Sequence, residues 1–206
     1  MDIYYGIDPS INSTGICRLT YDFDELVSEE FFIIYPNNDK HKLTKKQREA
    51  EKSISNFKYI PYEAEDLAIY KDDNYTYEYI KTLNIYNLMK VISDIVESSF
   101  KGDNVIHVLQ EGISYGSSIR TKSIYDLAGI NFLLRSLFIN KPHIDLVISP
   151  PSNIKKFTTG KGNANKDMMV SLFLSTHRKM EKIPKVDDIA DAYHMAIFAK
   201  YINEET

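Results

Sequence analysis

The sequence predicts an α/β fold: a mixed central sheet, three antiparallel strands followed by parallel strands, flanked by helices. Three observations lead there. Three short runs rich in β-branched and aromatic residues crowd into the first 35 residues, as an antiparallel meander requires. From residue 82 onward, helix-period segments alternate with apolar strand-like runs, the order of parallel strands with covering helices. The chain of 206 residues, 43% of them hydrophobic, is long enough for one domain with a full core.

Residues 2–8 (DIYYGID) form an apolar run ending in an acid, and PSINSTG after it is turn-like. Ile16–Tyr21 reads as the second strand and Phe31–Tyr35 (FFIIY) as the third. Residues 36–80 carry Lys/Glu runs, then a stretch rich in Tyr and Asp. A helix is expected around Leu43–Asn56; the remainder fits an insertion, a lid or a dimer arm. Within residues 82–100, Ile85, Leu88, Met89, Ile92, Ile95 and Val96 recur at spacings of three and four, which marks one helix face. Val105–Leu109 is a strand running into Glu111, and a helix covers Ser123–Ile139. Ile144–Ser149 is another strand, stopped by Pro150 and Pro151. Helices follow near Asp167–Arg178 and Asp188–Ile202.

Composition narrows the function. A single cysteine, Cys17, excludes a disulfide framework and favours a reducing compartment. The start MDIYYGIDPS lacks a basic n-region, so no signal peptide is expected, and no window approaches the roughly 20 apolar residues of a membrane span. A cytoplasmic protein, of a bacterium or an infected host cell, is the expectation. Abundant Ile, Asn, Lys and Tyr with no Trp point to an AT-rich genome, such as that of a virus or phage. The net charge of −4 hides an asymmetry. Residues 20–80 hold 14 Asp/Glu against 8 Lys/Arg, whereas residues 111–185 hold 5 against 12. The second half therefore either presents a basic face to nucleic acid or carries solvated lysines on helix surfaces.

Four acids stand where chemistry is done. Asp8 ends the first strand and Glu111 ends another apolar strand. Asp188 and Asp191, three apart at the start of the last helix, share one face. Together at one end of the sheet they would offer the oxygen ligands that hard divalent cations take. Two such ions, about 3.5–4 Å apart, clamp the attacking and leaving oxygens of a phosphodiester. Structural alternatives stand beside this: Asp8 as a turn former, and Asp187 or Asp188 as a helix N-cap.

The pattern resembles the RuvC-type Holliday junction resolvases, in four motifs that occur in order. Gly6-Ile7-Asp8-Pro9-Ser10-Ile11-Asn12-Ser13-Thr14-Gly15 is similar to the family's G-I-D-P-G-x-x-x-T-G. Val108-Leu109-Gln110-Glu111 is a strand delivering an acid. Residues 154–166 (IKKFTTGKGNANK) look like V-K-x-x-x-x-G-x-G-x-A-x-K, and Asp188-Ile189-Ala190-Asp191-Ala192 is similar to D-x-A-D-A. The resemblance covers residues 2–35 and 105–202.

It implies an RNase H-like nuclease domain spanning residues 1–206, with a family-atypical insertion at about 36–80. Asp8, Glu111, Asp188 and Asp191 would be metal-binding catalytic acids holding two Mg²⁺ ions, with Mn²⁺ as a substitute. Lys166 would act at the scissile phosphate. Lys155, Lys156 and Lys161 would bind DNA, unless they are general surface charge. Tyr115 either stacks on a base at the opened junction or packs on a helix, and Arg120 and Lys122 lie close enough in sequence to contact phosphates. A homodimer would match the two-fold symmetry of a four-way junction, and cleavage would leave a 5′-phosphate and a 3′-hydroxyl. Ser10 departs from the family glycine, and Asp187, four residues before Asp191, competes with Asp188 as ligand. Two alternatives remain: a broader nuclease for flaps and forks, and a non-catalytic junction-binding relative. His107, His194 and Cys17 read as packing residues.

Overall fold

The computed structural model describes residues 1–113 and 123–205. Six strands form one sheet in the order β4-β3-β2-β1-β5-β6. Strands β1 (Asp2–Asp8), β2 (Thr14–Asp22) and β3 (Glu25–Asn37) are the expected antiparallel meander. Strands β5 (Ile106–Glu111) and β6 (Ile144–Ser149) run parallel to β1 on its other side. The mixed sheet flanked by helices is the RNase H-like arrangement expected from the sequence.

Both sheet faces are buried, because successive side chains on a strand point to opposite sides. One face carries α1 (Lys45–Ser53), α4 (Pro151–Thr159), α5 (Lys166–Thr176) and α6 (Val186–Glu204), packed over Tyr4, Cys17, Leu19, Phe31 and Leu109. The opposite face carries α2 (Asn74–Glu97) and α3 (Ser123–Phe138), over Ile3, Tyr5, Ile7, Ile16 and Val108. None of the described helices is long and apolar enough to cross a membrane.

Several boundaries differ from the sequence reading, each for a local reason. Strand β3 begins at Glu25 rather than Phe31, because a tight turn with Phe23 at φ 52° folds its polar first half back onto β2. The open segment 36–80 holds α1, closed by a capping box between Thr44 and Gln47, and then β4 (Phe57–Glu63), which pairs in parallel with β3 at the sheet edge. Pro61 is tolerated there because an edge strand need not donate every N–H. Helix α2 starts at Asn74, capped by Asp73, and its first turns are hard to read because Tyr75 and Tyr79 face solvent. Pro150 and Pro151 do not simply stop β6. Pro151 occupies the first turn of α4, where a missing N–H costs nothing, so the prolines start a helix.

On the α5 side, His177 stacks on Phe173 with ring centroids 4.5 Å apart, and its Nε2 lies 3.0 Å from both carboxylate oxygens of Glu29. Burial opposes protonation of this imidazole, but the hydrogen bond to Glu29 and its charge outweigh burial, and the pKa is raised. A raised folded-state pKa gives stability that is complete below the unfolded value of about 6.5 and is lost as pH rises through the folded value. The melting temperature should therefore decline between about pH 6 and pH 8 by more in the wild type than in His177→Gln. Equal slopes in the two thermal titrations would refute this coupling.

Candidate active site

Strand β1 ends at Asp8, and β5, its parallel neighbour, ends at Glu111, so both carboxylates emerge at the same sheet end. Helix α6 supplies the other two. Lys185 in a left-handed conformation precedes it, and Asp187 and Asp188 fall in its first turn, so neither acid is the N-cap.

Two glycines bring α6 onto the sheet. A Cβ on Gly6 would sit 1.9 Å from the Ala192 carbonyl oxygen, and one on Gly15 would sit 2.2 Å from the Asp188 carbonyl oxygen. Helix backbone therefore lies directly on strand backbone. Gly15 pairs with Asp8 across β1 and β2, so this contact carries Asp188 next to Asp8. Ala190, Ala192 and Ala196, all fully buried, keep the helix underside equally thin.

The acids act strongly on one another. Burial, then the charges of Asp191, Asp188 and Glu111, push the Asp8 carboxyl well above its ordinary range, against the pull of Lys166. Burial and Asp191 push Glu111 up to about 7, with Lys155 and Lys166 opposing. Asp188 and Asp191 are raised as well, chiefly by burial. Such crowding of buried carboxylates is costly to a fold and marks a site whose charge calls for a counter-ion.

Adjacent acids on α6 have separate partners. Asp188 turns inward, where its Oδ2 accepts the Ser13 hydroxyl at 2.5 Å. Asp187 turns outward to Lys166, whose Nζ lies 2.7 Å from its Oδ2 and 3.7 Å from Asp191 Oδ2. Burial opposes ionisation of Asp187, but Lys166 outweighs it, and the Asp187 pKa is lowered. Asp188, rather than Asp187, therefore shares the crowded environment of Asp8.

Lys166 opens α5, and Lys155 lies half-buried on α4. With Glu111 and Asp191 they line a cavity of about 160 Å³, backed by Met169 and Met195. Lys156 and Lys161 are exposed on α4 and in the turn after it, and among the described residues the ion pairs to this group of acids come from Lys166. Tyr115, Arg120 and Lys122 lie outside the described residues. Gly160 has a structural reason of its own, since it ends α4 at φ 77° with its N–H bonded to the Lys156 carbonyl at 2.8 Å. His194 packs between helices, its Nε2 2.9 Å from the Met169 carbonyl, and His107 stacks on Tyr4 beside Asp145.

Sequence reasoning missed Ser13, the Lys166–Asp187 pair and the glycine seat. Only the last left a trace, in two motif glycines facing an alanine-rich helix start. Among the described residues, no three acidic, His or Cys side chains stand close enough together to enclose an ion as they are. The donor set is nonetheless all-oxygen, buried and mutually repelling, which is chemistry that suits a hard divalent cation.

No family model matches the chain. Among solved structures it is similar to Thermus thermophilus RuvC, with 13% identity over 99% of this chain and 97% of that one, at a TM-score of 0.50. It is also similar to T. thermophilus RuvC in complex with a Holliday junction substrate, with 12% identity over 99% and 96% of the two chains and a TM-score of 0.54. A Fowlpox virus resolvase in complex with substrate Holliday junction DNA matches at 14% identity over 97% and 98%, with a TM-score of 0.48. At these identities the RuvC likeness is one of fold.

Proposed function

We propose that this chain is a metal-dependent endonuclease that resolves four-way DNA junctions. One observation carries the reading: Asp8, Glu111, Asp188 and Asp191 reach one end of an RNase H-like sheet, where burial and neighbouring carboxylates raise the pKa of each, beside Lys155 and Lys166. The likeness in fold to RuvC, including a structure in complex with a Holliday junction substrate, supports the choice of nucleic-acid substrate.

In this reading the four carboxylates hold two Mg²⁺ ions, or Mn²⁺ in their place. When bound, such ions activate water and offset charge on a phosphodiester. The chain's own groups do the rest. Lys166, its side chain about half exposed and tethered by Asp187, offers an ammonium to a phosphate oxygen. Lys155, which lines the same small cavity, does likewise, and Lys156 and Lys161, with Tyr115, Arg120 and Lys122, are assigned contacts to flanking DNA. The glycine seat fixes the spacing between Asp8 and Asp188 without any flexible side chain in between. The products would be a 5′-phosphate and a 3′-hydroxyl.

A homodimer belongs to the proposal, because a four-way junction presents two equivalent strands to two equivalent sites. The outer face of α2, where Tyr75, Tyr79 and Tyr86 are 64–85% exposed, is an apolar surface that such pairing would cover.

The test is cleavage of an end-labelled synthetic four-way junction, with linear duplex and a flap as controls, in Mg²⁺ and in EDTA. Paired symmetric incisions of the junction alone, dependent on metal, are expected. Equal cutting of flaps and forks would replace this reading with a general branched-DNA nuclease. Binding without cutting would reduce it to a junction-binding protein.

A further inference from the structure

Ser13 stands at a position that the motif around Asp8 leaves free, yet it makes a buried polar contact to a proposed metal ligand. Its hydroxyl donates to Asp188 Oδ2 at 2.5 Å, across 175 residues of chain, and both residues are buried. The turn that presents it is closed on itself. Thr14 Oγ1 donates to the Ser10 carbonyl at 2.7 Å and accepts the Ser10 N–H at 3.1 Å. On the other side, Asp188 is held through its backbone, pressed against Gly15. The backbone segments that carry both ends of the hydrogen bond are thus anchored.

A hydroxyl engaged with one carboxylate oxygen competes with chelation of an ion by both. Oδ1 remains the oxygen free of this bond. That difference bears on which cation suits the site. Ca²⁺ takes six to eight oxygens and often uses both oxygens of a carboxylate, whereas Mg²⁺ demands near-octahedral geometry with single-oxygen ligands and waters.

We propose that Ser13 is a positioning residue that holds Asp188 to one-oxygen presentation and so biases the site toward small six-coordinate cations over Ca²⁺. The inference rests on the nuclease reading above and concerns the selectivity of that same site.

The test is equilibrium binding to DNA-free protein by calorimetry, with MnCl₂ as the octahedral probe and CaCl₂ as the competitor. Wild type, Ser13→Ala, Ser13→Thr, Asp188→Asn and the Ser13→Ala/Asp188→Asn double variant are compared, and thermal melts in EDTA confirm folding. Loss of a hydrogen bond behind a metal ligand weakens binding by about 10–100-fold, so Ser13→Ala should lose at least about 10-fold in Mn²⁺ affinity. Its Ca²⁺ affinity should hold or improve, which lowers the Mn²⁺/Ca²⁺ ratio by a similar factor. Ser13→Thr should keep the wild-type ratio. In the Asp188→Asn background, Ser13→Ala should change the ratio no further.

An unchanged ratio in folded Ser13→Ala, or a parallel loss for both cations, overturns the proposal and leaves the nuclease reading standing. A wild type that binds neither cation overturns both.

Discussion

Asp8→Asn is expected to abolish strand cleavage and, in the same protein, to raise the melting temperature in the absence of metal. Asp8 is the residue on which the other three acids act together: burial and the charges of Asp191, Asp188 and Glu111 all disfavour its ionised form. Its folded-state pKa is raised, so the stability linked to its proton is complete below the unfolded value of about 3.9 and is lost as pH rises through the folded value. Asparagine has no charge to bury and escapes that loss. The gain in melting temperature should accordingly be small near pH 4 and grow toward pH 8. Removing a preorganised charge at the reacting centre should cost about 10³-fold or more in cleavage rate. Mg²⁺ should raise the wild-type melting temperature, because a ligand that binds only the folded state stabilises it, and should move the variant far less. Calorimetric scans at several pH values, with and without Mg²⁺, together with single-turnover cleavage, provide the check. A variant that is inactive and also less stable in EDTA would mean that Asp8 supports the fold rather than the chemistry.

Among the described glycines, Gly6→Ala should be the most damaging. The added carbon would lie 1.9 Å from the Ala192 carbonyl oxygen and 2.6 Å from the Ala196 nitrogen, and these are backbone atoms with no rotamer to yield. Overpacking of a well-packed core costs about 1–3 kcal/mol, and more where the backbone must move. With roughly 2–4 °C lost per kcal/mol at this chain length, a fall of about 10 °C or the absence of a cooperative melt is expected. Gly129→Ala is the matched control. Gly129 lies within α3, an added Cβ there meets no atom of the described residues, and alanine is the better helix former by about 1 kcal/mol, so its melting temperature should hold or rise. If the two variants melt alike, the close approach of α6 to β1 is not what the distances imply.

The two acid-bearing strands were legible in the sequence because apolar runs set the period and each ends in a carboxylate at the same sheet end, Asp8 and Glu111. The pair on α6 was legible because a spacing of three puts Asp188 and Asp191 on one helix face. Edge strand β4 was not, since FKYIPYE mixes charge, proline and aromatics, as an edge strand can. The choice between Asp187 and Asp188 lay open in sequence terms. Both fall in the first turn of α6, and only tertiary partners, Lys166 for one and Ser13 for the other, separate them. Ser13 itself gave no signal, because one hydroxyl in a turn full of small polar residues gains meaning only from what lies across the fold.

The hydrogen bond from Ser13 to Asp188 spans 175 residues, and that separation orders events in time. Contacts between distant parts of a chain form late, after the loop-closure entropy has been met by other burial. The acid pair on α6 and the acids ending β1 and β5 come together only where α6 docks onto the sheet. Repulsion between the two pairs is therefore met where α6 packs on the sheet, with the apolar burial of that contact to offset it. On the proposed reading, a chain in which α6 has not docked would have no assembled cation site and no cutting activity.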